Sequence, residues 1–254
     1  MTTGTEEVEQ WFPGWTAAGD RARLLCLPHL GGGPTAFAGW PRLMPGIQVC
    51  PVRLPGRGPR YREPAPSGVD DLVESLGRVL SHAPRHTGPL GVYGHGPGAA
   101  VAFELVRALR RSGGLPAQTS LFVAGRAAPH LEPRFASMSE LPDVRLTALL
   151  SALGGTPVQL LSDRHVTGQV LTTVRADLRL HETYRYRPEP RLSVPVTVFG
   201  ATDDPLVTFE EAAAWEQLTE HTCVLHMLEG GHLAVLDHRS TVTRAITQLL
   251  RPPR

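Results

Sequence analysis

Six short apolar runs separated by helix-forming segments constrain the fold of this chain more than any other sequence feature. The runs have the length and aliphatic content of buried strands. These predicted strands are Arg23–Leu27, Gln48–Val52, Leu90–Tyr93, Ser120–Ala124, Val194–Phe199 and Cys223–Leu228. The helices predicted between them are Val69–His82, Ala99–Arg111, Phe209–Leu218 and Ser240–Leu250. Strands that alternate with helices predict an α/β fold whose mostly parallel sheet is covered by helices on both faces.

The alternation of strands and helices stops between Gly125 and Leu192. This stretch predicts two helices, Val144–Leu153 and Val166–Tyr184, and no good strand. Ligands of open α/β sheets bind at the carboxyl edge of the strands. A helical insertion over about residues 126–191 is therefore a candidate lid, and residues 1–254 are expected to form one domain, since α/β folds of this length are commonly single.

Composition and charge exclude several classes of function. The chain carries 25 basic and 24 acidic residues, a formal charge of +1, so no overall field favours nucleic acid or an anionic membrane as a partner. It contains arginine but no lysine, which excludes a lysine Schiff base, a PLP anchor and a P-loop. The N-terminal residues are acidic and polar, unlike a signal peptide, and no apolar run reaches about 18 residues. We therefore expect a cytoplasmic protein.

The cysteine and histidine patterns predict neither a redox site nor a metal site. The three cysteines are scattered without a CxxC motif and are expected to be reduced thiols; they are Cys26, Cys50 and Cys223. Three histidines recur at six-residue spacing, which suits no common zinc pattern; they are His226, His232 and His238.

A glycine-rich segment after the first predicted strand offers an alternative that we considered, a dinucleotide site. Gly31–Ala36 formally matches G-x-G-x-x-A. The acidic residue that should follow about 20 residues later is missing, however, and Arg53 lies in that region. No cofactor is therefore expected.

The segment around Gly96 predicts a strand, a tight turn and a helix. Gly94, Gly96 and Gly98 follow the layout of the G-x-S-x-G nucleophile elbow, with Gly96 where serine would stand. Glycine offers no hydroxyl or thiol for an acyl-enzyme. Pro97 has no N–H, although the residue after the nucleophile normally supplies an oxyanion donor. The alternative is a plain glycine-rich turn, with Pro97 at the first helical position and Gly96 relieving strain.

A carboxylate and a histidine follow later predicted strands. Asp203 and Asp204 come after the fifth strand, and His232 comes after the sixth. The order nucleophile, acid, histidine is the order in α/β-hydrolases. A histidine oriented by a carboxylate is a general base or acid even without a nucleophile.

These motifs together resemble those of type II thioesterases, the stand-alone α/β-hydrolases that accompany polyketide synthases and nonribosomal peptide synthetases. The similar stretches span nearly the whole chain. They are Leu24–Trp40, Val52–Arg60, Tyr93–Leu105, Gly125–Pro133, Leu153–Pro157, Arg175–Tyr186, Val196–Val207 and Glu229–Leu236. The most specific motifs among them are PH-x-GGG, LPGR and RAAPH.

The resemblance assigns roles to residues of the site. It implies that Asp204, which directly precedes Pro205, is the triad acid, with Asp203 as the fallback, and that His232 is the general base. It places an oxyanion donor in the loop after the first strand. The further pocket residues that it implies are Leu30 as that donor, His29 beside the same loop and His95 beneath the elbow, the two histidines being structural.

Three functions remain open from the sequence. The preferred hypothesis is nucleophile-free catalysis on a polyketide or peptide intermediate by His232 and Asp204, through proton transfer, cyclisation or elimination. The second is an editing thioesterase that uses direct water attack or is a Ser-to-Gly mutant. The third is a non-catalytic partner of a synthase or carrier protein. The basic stretch Arg53–Arg62 has two interpretations. It is either a site that binds a phosphopantetheine phosphate or an acidic carrier protein, or a solvated loop.

Overall fold

The computed structural model describes residues 4–16, 21–84, 86–135, 137–154 and 164–251. Six parallel strands form one sheet in the order β2-β1-β3-β4-β5-β6. They are β1 (Arg23–Leu27), β2 (Gln48–Pro51), β3 (Leu90–His95), β4 (Thr119–Ala124), β5 (Val196–Ala201) and β6 (Cys223–Leu228). The predicted α/β fold is confirmed. The strand β2 lies on one side of β1, and β3 to β6 follow in chain order on the other side.

Nine α-helices lie in the described part of the chain. They are α1 (Gly4–Trp11), α2 (Trp40–Leu43), α3 (Val69–His82), α4 (Pro97–Arg111), α5 (Asp143–Leu153), α6 (Arg164–Thr183), α7 (Phe209–Ala213), α8 (Ala234–Asp237) and α9 (Arg239–Leu250). Short 3₁₀ turns cover Pro34–Phe37, Gly58–Arg60 and Ala214–Leu218. None of these described helices combines the length and the apolar character that crossing a membrane requires.

Every residue of β1, β3, β4 and β5 is buried, because helices cover both faces of the sheet. On one face, α3 and α4 pack residues such as Leu76 and Val101 against the strands. On the other face, α2 and α9 contribute residues such as Trp40 and Ile246. Cys26 and Cys50 are buried, unpaired thiols, as the sequence predicted.

The predicted boundaries differ from the structure where proline or local packing intervenes. The fifth strand begins at Val196 rather than Val194, because Pro195 has no N–H for the ladder. The helix predicted over Phe209–Leu218 divides into α7 and a 3₁₀ turn. The helix α1 was not predicted; it is short and buries only Val8 and Trp11.

The stretch proposed as a lid contains the two predicted helices, α5 and α6. They pack on each other through a cluster separate from the two sheet cores. Its buried members are Leu146, Leu150, Leu171, Val174 and Leu178. Residues 155–163, which include most of the Leu153–Pro157 motif, lie outside the described residues.

Candidate active site

The turn between β3 and α4 has the sharp geometry of a nucleophile elbow. Gly96 has φ +53° and ψ −117°, a backbone conformation that favours glycine. A Cβ on Gly94 would lie 2.2 Å from the Gly98 carbonyl oxygen, and a Cβ on Gly98 would lie 2.6 Å from the Pro28 carbonyl oxygen. The two outer glycines are therefore required by close backbone contacts, which keep the turn tight.

The central position of this turn has space for a side chain that Gly96 does not supply. A Cβ built there would meet nothing nearer than the Gly125 carbonyl oxygen, at 3.9 Å. The Gly96 N–H donates to the Ala124 carbonyl oxygen at 2.9 Å. Pro97 occupies the first position of α4, where its missing N–H costs the helix nothing. The turn therefore carries no hydroxyl or thiol at residue 96 and no N–H at residue 97.

His232 and Asp204 lie together beside this turn. The Nδ1 atom of His232 is 3.0 Å from Oδ1 and 2.9 Å from Oδ2 of Asp204. The Asp204 side chain is 2% exposed, and its Oδ1 also accepts the Leu206 N–H at 2.8 Å. With Nδ1 directed at the carboxylate, Nε2 of His232 is left to exchange a proton with a ligand.

The structure separates the two candidate acids clearly. Asp203 is exposed, and its carboxylate accepts a hydrogen bond from the Thr202 hydroxyl at 3.1 Å. The Asp203 N–H donates to the Gly230 carbonyl oxygen at 2.9 Å, which shapes the turn after β5. The carboxylate that contacts His232 is that of Asp204.

Two further histidines surround the His232 ring. The His95 ring centroid lies 5.5 Å from that of His232 and 5.8 Å from that of His29. Burial, reinforced by the neighbouring His232 and His29, holds the pKa of His95 well below its usual range. Burial also lowers the pKa of His29, whose Nδ1 lies 3.0 Å from the Leu30 carbonyl oxygen. Both rings are therefore neutral near pH 7.

Gly125 allows this packing of imidazole rings. It has φ +55°, and a Cβ there would lie 2.6 Å from His95 Nε2 and 3.1 Å from His232 Cε1. The first residue of the RAAPH-containing segment thus makes room for both rings at the end of β4. The sequence motif includes this glycine, but only the fold shows what it lies against.

The loop after β1 is tied to α6 by a buried ion pair that the sequence analysis missed. The Gly31 N–H donates to Oδ2 of Asp177 at 2.8 Å. Both terminal nitrogens of Arg57 donate to the Asp177 carboxylate, and Arg57 Nη1 also donates to the Gly32 carbonyl oxygen at 3.0 Å. The two side chains are 8% and 6% exposed. Among the described residues, no acceptor takes the N–H of the neighbouring Leu30.

The basic stretch Arg53–Arg62 is only partly the solvated loop given as one prediction for it, because Arg62 is exposed whereas Arg57 and Arg60 are buried. Arg57 is buried against Asp177, and Arg60 is buried against Glu63, with Nε to Oε1 at 2.8 Å. These two arginines therefore contact carboxylates of the protein itself, of which that of Asp177 is buried and that of Glu63 is 36% exposed. The LPGR motif was a signal for this role, but the partner Asp177 lies 120 residues away in the chain.

Comparison with known proteins gives a consistent result. Residues 22–250 match the protein family described as "Thioesterase domain". The gramicidin S biosynthesis protein GrsT of Aneurinibacillus migulanus is 30% identical over 98% of this chain and 97% of its own length. Thioesterase PikA5 of Streptomyces venezuelae is 33% identical over 92% of this chain and 83% of its own length. The solved structure of the type II thioesterase BorB, from the borrelidin biosynthetic cluster, has a TM-score of 0.84 at 35% identity and covers 95% of this chain and 98% of that one.

Proposed function

This chain belongs to the thioesterase family, and we propose that it acts on a polyketide or peptide intermediate by general acid-base catalysis without an acyl-enzyme. His232 is the base, and Asp204 orients it. The substrate is a thioester on an acyl or peptidyl carrier protein, or a released intermediate. The observation that carries the proposal is the contact of His232 Nδ1 with the Asp204 carboxylate beside an elbow that has no nucleophile.

The missing groups argue against ordinary acyl transfer. Loss of the nucleophile can cost about 10⁶ in rate in a serine hydrolase. Loss of one oxyanion donor costs roughly 10²–10³. Gly96 and Pro97 together remove both groups, while Asp204 and His232 keep the geometry of a base and its orienting acid.

The groups that remain suit removal of a proton next to a thioester carbonyl. In that step His232 Nε2 takes the proton from the α-carbon, and the electron pair of the C–H bond moves onto the carbonyl oxygen to form an enolate. The Leu30 N–H supplies one hydrogen bond to that oxygen. Return of a proton, attack of the enolate on another carbonyl group or loss of a β-substituent then gives proton transfer, cyclisation or elimination.

Deuterium exchange tests this proposal without knowledge of the natural substrate. Wild-type protein in D₂O is expected to exchange the α-hydrogens of a butyryl thioester of N-acetylcysteamine faster than buffer does, as measured by mass spectrometry. His232→Ala is expected to lose about 10²–10⁴ of the catalysed rate, the usual contribution of a general base. The matched control is Asp203→Asn, which removes the exposed neighbouring carboxylate and is expected to change nothing. Equal exchange by wild type and His232→Ala would contradict the proposal.

An editing thioesterase is the second candidate, favoured by the similarity of this chain to thioesterase PikA5 and to the type II thioesterase BorB. Here His232 would activate a water that attacks the thioester carbonyl directly. Release of free thiol from acyl carrier protein thioesters, without exchange of α-hydrogens, identifies this function. Binding of a carrier protein that survives His232→Ala, with neither exchange nor thiol release, identifies a non-catalytic partner.

A further inference from the structure

The strongest unexplained feature beside the site is the guanidinium of Arg126. Five arginines are buried among the described residues: Arg23, Arg57, Arg60, Arg107 and Arg126. Arg57, Arg60 and Arg107 each contact a carboxylate. Arg23 donates to two neutral oxygens, the Gln48 amide and the Thr16 carbonyl, at 2.8 and 2.7 Å. Arg126 has no oxygen acceptor among the described residues.

The contacts that Arg126 does make leave its charge uncompensated. Its Nη1 contacts Nδ1 of His181, and its Nε is buried without a partner. The face of the Tyr184 ring lies 5.5 Å from the guanidinium carbon. Burial lowers the pKa of Arg126 to about 10, so the side chain is still protonated at pH 7. A buried cation of this kind costs several kcal/mol unless an anion accompanies it.

Arg126 is next in the chain to residues that form the candidate active site. It follows Gly125, whose carbonyl oxygen faces the open position at Gly96 and whose Cα packs beside His95 and His232. The Arg126 carbonyl oxygen accepts the indole N–H of Trp215 at 2.9 Å, which holds the backbone of this residue in place. The guanidinium contacts His181, whose ring lies close enough to His232 for that residue to lower its pKa, and so belongs to the surroundings of the site.

His181, on α6, adds a second hydrogen-bond donor. Burial, reinforced by Arg126 and His232, lowers the pKa of His181 to about 3, so the ring is neutral at pH 7. Because Nδ1 faces the guanidinium and acts as the acceptor, the single ring proton lies on Nε2. A neutral histidine in this tautomer and a charged guanidinium with an unused N–H together match an anionic oxygen group.

We propose that Arg126 and His181 form a subsite for a carboxylate carried by the acyl part of the substrate, as in a malonyl-type thioester. The proposal rests on the proposed function, in that the same substrate presents its thioester carbonyl to His232. A guanidinium binds a carboxylate through two parallel hydrogen bonds. The carboxylate also supplies the anion that Arg126 lacks in the protein alone.

The effect of replacing Arg126 on stability distinguishes a structural role from binding of a substrate anion. If Arg126 served the fold, its replacement by methionine would lower the melting temperature. If Arg126 instead serves to bind a substrate anion, Arg126→Met removes an uncompensated charge and keeps the apolar length of the side chain. The melting temperature is then expected to be unchanged or higher. The Trp215 hydrogen bond is made to the backbone and is present in both variants.

The experiment measures binding of two non-hydrolysable amide analogues, of malonyl- and acetyl-N-acetylcysteamine, by isothermal titration calorimetry with the full chain. Wild type is expected to bind the malonyl analogue at least about 10-fold more tightly, the value of one hydrogen bond between charged groups. Arg126→Met is expected to lose this preference without a lower melting temperature, and Arg126→Lys to retain part of it. The control is Arg179→Met on α6, the helix that carries His181; the Arg179 side chain is 59% exposed, and this variant is expected to retain the full preference.

Three results would overturn the subsite. They are an unchanged preference in Arg126→Met, no preference in wild type, and a clear fall in the melting temperature of Arg126→Met. A stronger response to inorganic phosphate than to the malonyl analogue would assign the subsite to a phosphate instead and reject the carboxylate. Failure of the proposed function is distinguishable, because His232→Ala is expected to keep the carboxylate preference even where no exchange is catalysed.

Discussion

Gly96 separates two features that an ordinary nucleophile elbow combines, the sharp backbone turn and the side chain at its tip. The turn depends on Gly94 and Gly98, whose neighbours leave no space for a Cβ. The tip has space but a positive φ. A side chain at residue 96 is therefore permitted by packing and opposed only by backbone strain, on the order of 1–3 kcal/mol.

The first prediction follows from this contrast. Gly96→Ser is expected to fold with a loss of about 1–3 kcal/mol in the free energy of unfolding. Gly94→Ser is expected to be far less stable or insoluble, because its Cβ would lie 2.2 Å from the Gly98 carbonyl oxygen. Urea denaturation followed by circular dichroism compares the two. Equal destabilisation would contradict the steric argument, because Gly94 has no positive φ to explain a loss of stability.

The second prediction concerns the donor that Pro97 lacks. Gly96→Ser alone is expected to release thiol from acyl thioesters slowly, because the oxyanion would have a single donor. Gly96→Ser with Pro97→Ala restores the N–H and is expected to raise the rate by roughly 10²–10³. Thiol release measured with a chromogenic disulfide reports both rates, with Pro97→Ala alone as the control. A fully active Gly96→Ser would show that the Pro97 position does not limit acyl transfer.

At this scale the order of the motifs in the sequence predicted the contact between Asp204 and His232, whereas the contacts of Asp177 and His181 were not predicted. Asp204 and His232 follow strand ends in a known order, and the structure brings them within hydrogen-bond distance. Asp177 and His181 lie in a helix whose pattern shows only that it is amphipathic. Their partners, Arg57 and Arg126, are far away in the chain, and a single sequence contains no measure of that proximity.

At the scale of elements, α6 joins the predicted lid to the loop after β1. Asp177 and His181 are four residues apart and therefore share one face of this helix. Asp177 holds the Gly31 N–H, and Val174 Cγ2 would lie 3.0 Å from a Cβ at Gly31. The helix is thus packed directly over the loop that carries the Leu30 N–H.

The third prediction is that Arg57 and Asp177 are strongly coupled. Asp177→Ala leaves the Arg57 guanidinium buried without its anion and is expected to lower the free energy of unfolding by about 3–5 kcal/mol. The double variant Arg57→Met, Asp177→Ala is expected to lose less stability than the sum of the two single changes. Urea unfolding of the four proteins measures the coupling energy.

The control for this cycle is a second ion pair that involves α6. Arg175 and Asp143 join α6 to α5 with Nη2 to Oδ1 at 2.6 Å, but the Asp143 side chain is 74% exposed. Its coupling is expected to stay below about 1 kcal/mol. Similar coupling energies for the two pairs would mean that burial does not strengthen the Arg57–Asp177 pair.

At the scale of the whole molecule, the sheet was predictable because burial on both faces leaves continuous apolar runs. Four strands are buried at every position, and every predicted strand matches an observed one within about two residues. The short helix α1 escaped prediction because Val8 and Trp11 are its only buried anchors. How closely the imidazole and guanidinium groups approach one another depends on the packed tertiary structure, which local patterns do not determine.

The fourth prediction is a loss of stability in mild acid. Burial lowers the pKa values of His29, His86, His95 and His181 in the folded protein. Below their unfolded value of 6.5 the unfolded chain binds more protons, so the free energy of unfolding falls as the pH decreases from about 6.5. Each such histidine contributes up to about 1.4 kcal/mol per pH unit.

Urea titrations at pH 7, 6, 5.5 and 5 measure this slope. The window excludes the main carboxylate contribution, since Glu63 and Glu182 have lowered pKa values and lose their stabilising effect only below about 4.5. His181→Phe is expected to flatten the slope, because it removes one of these buried imidazoles. A stability that does not vary between pH 7 and 5 would contradict neutral buried histidines.

The position of α6 has a consequence for turnover. The same helix carries the Asp177 carboxylate, which accepts the Gly31 N–H, and the His181 imidazole, which contacts Arg126. If α6 moves away from the sheet to admit substrate or release product, both contacts break in the same movement. Binding of the acyl group at Arg126 and His181 would then coincide with ordering of the loop that carries the Leu30 N–H. A partly closed arrangement of α6 would bind neither the acyl group nor the thioester carbonyl.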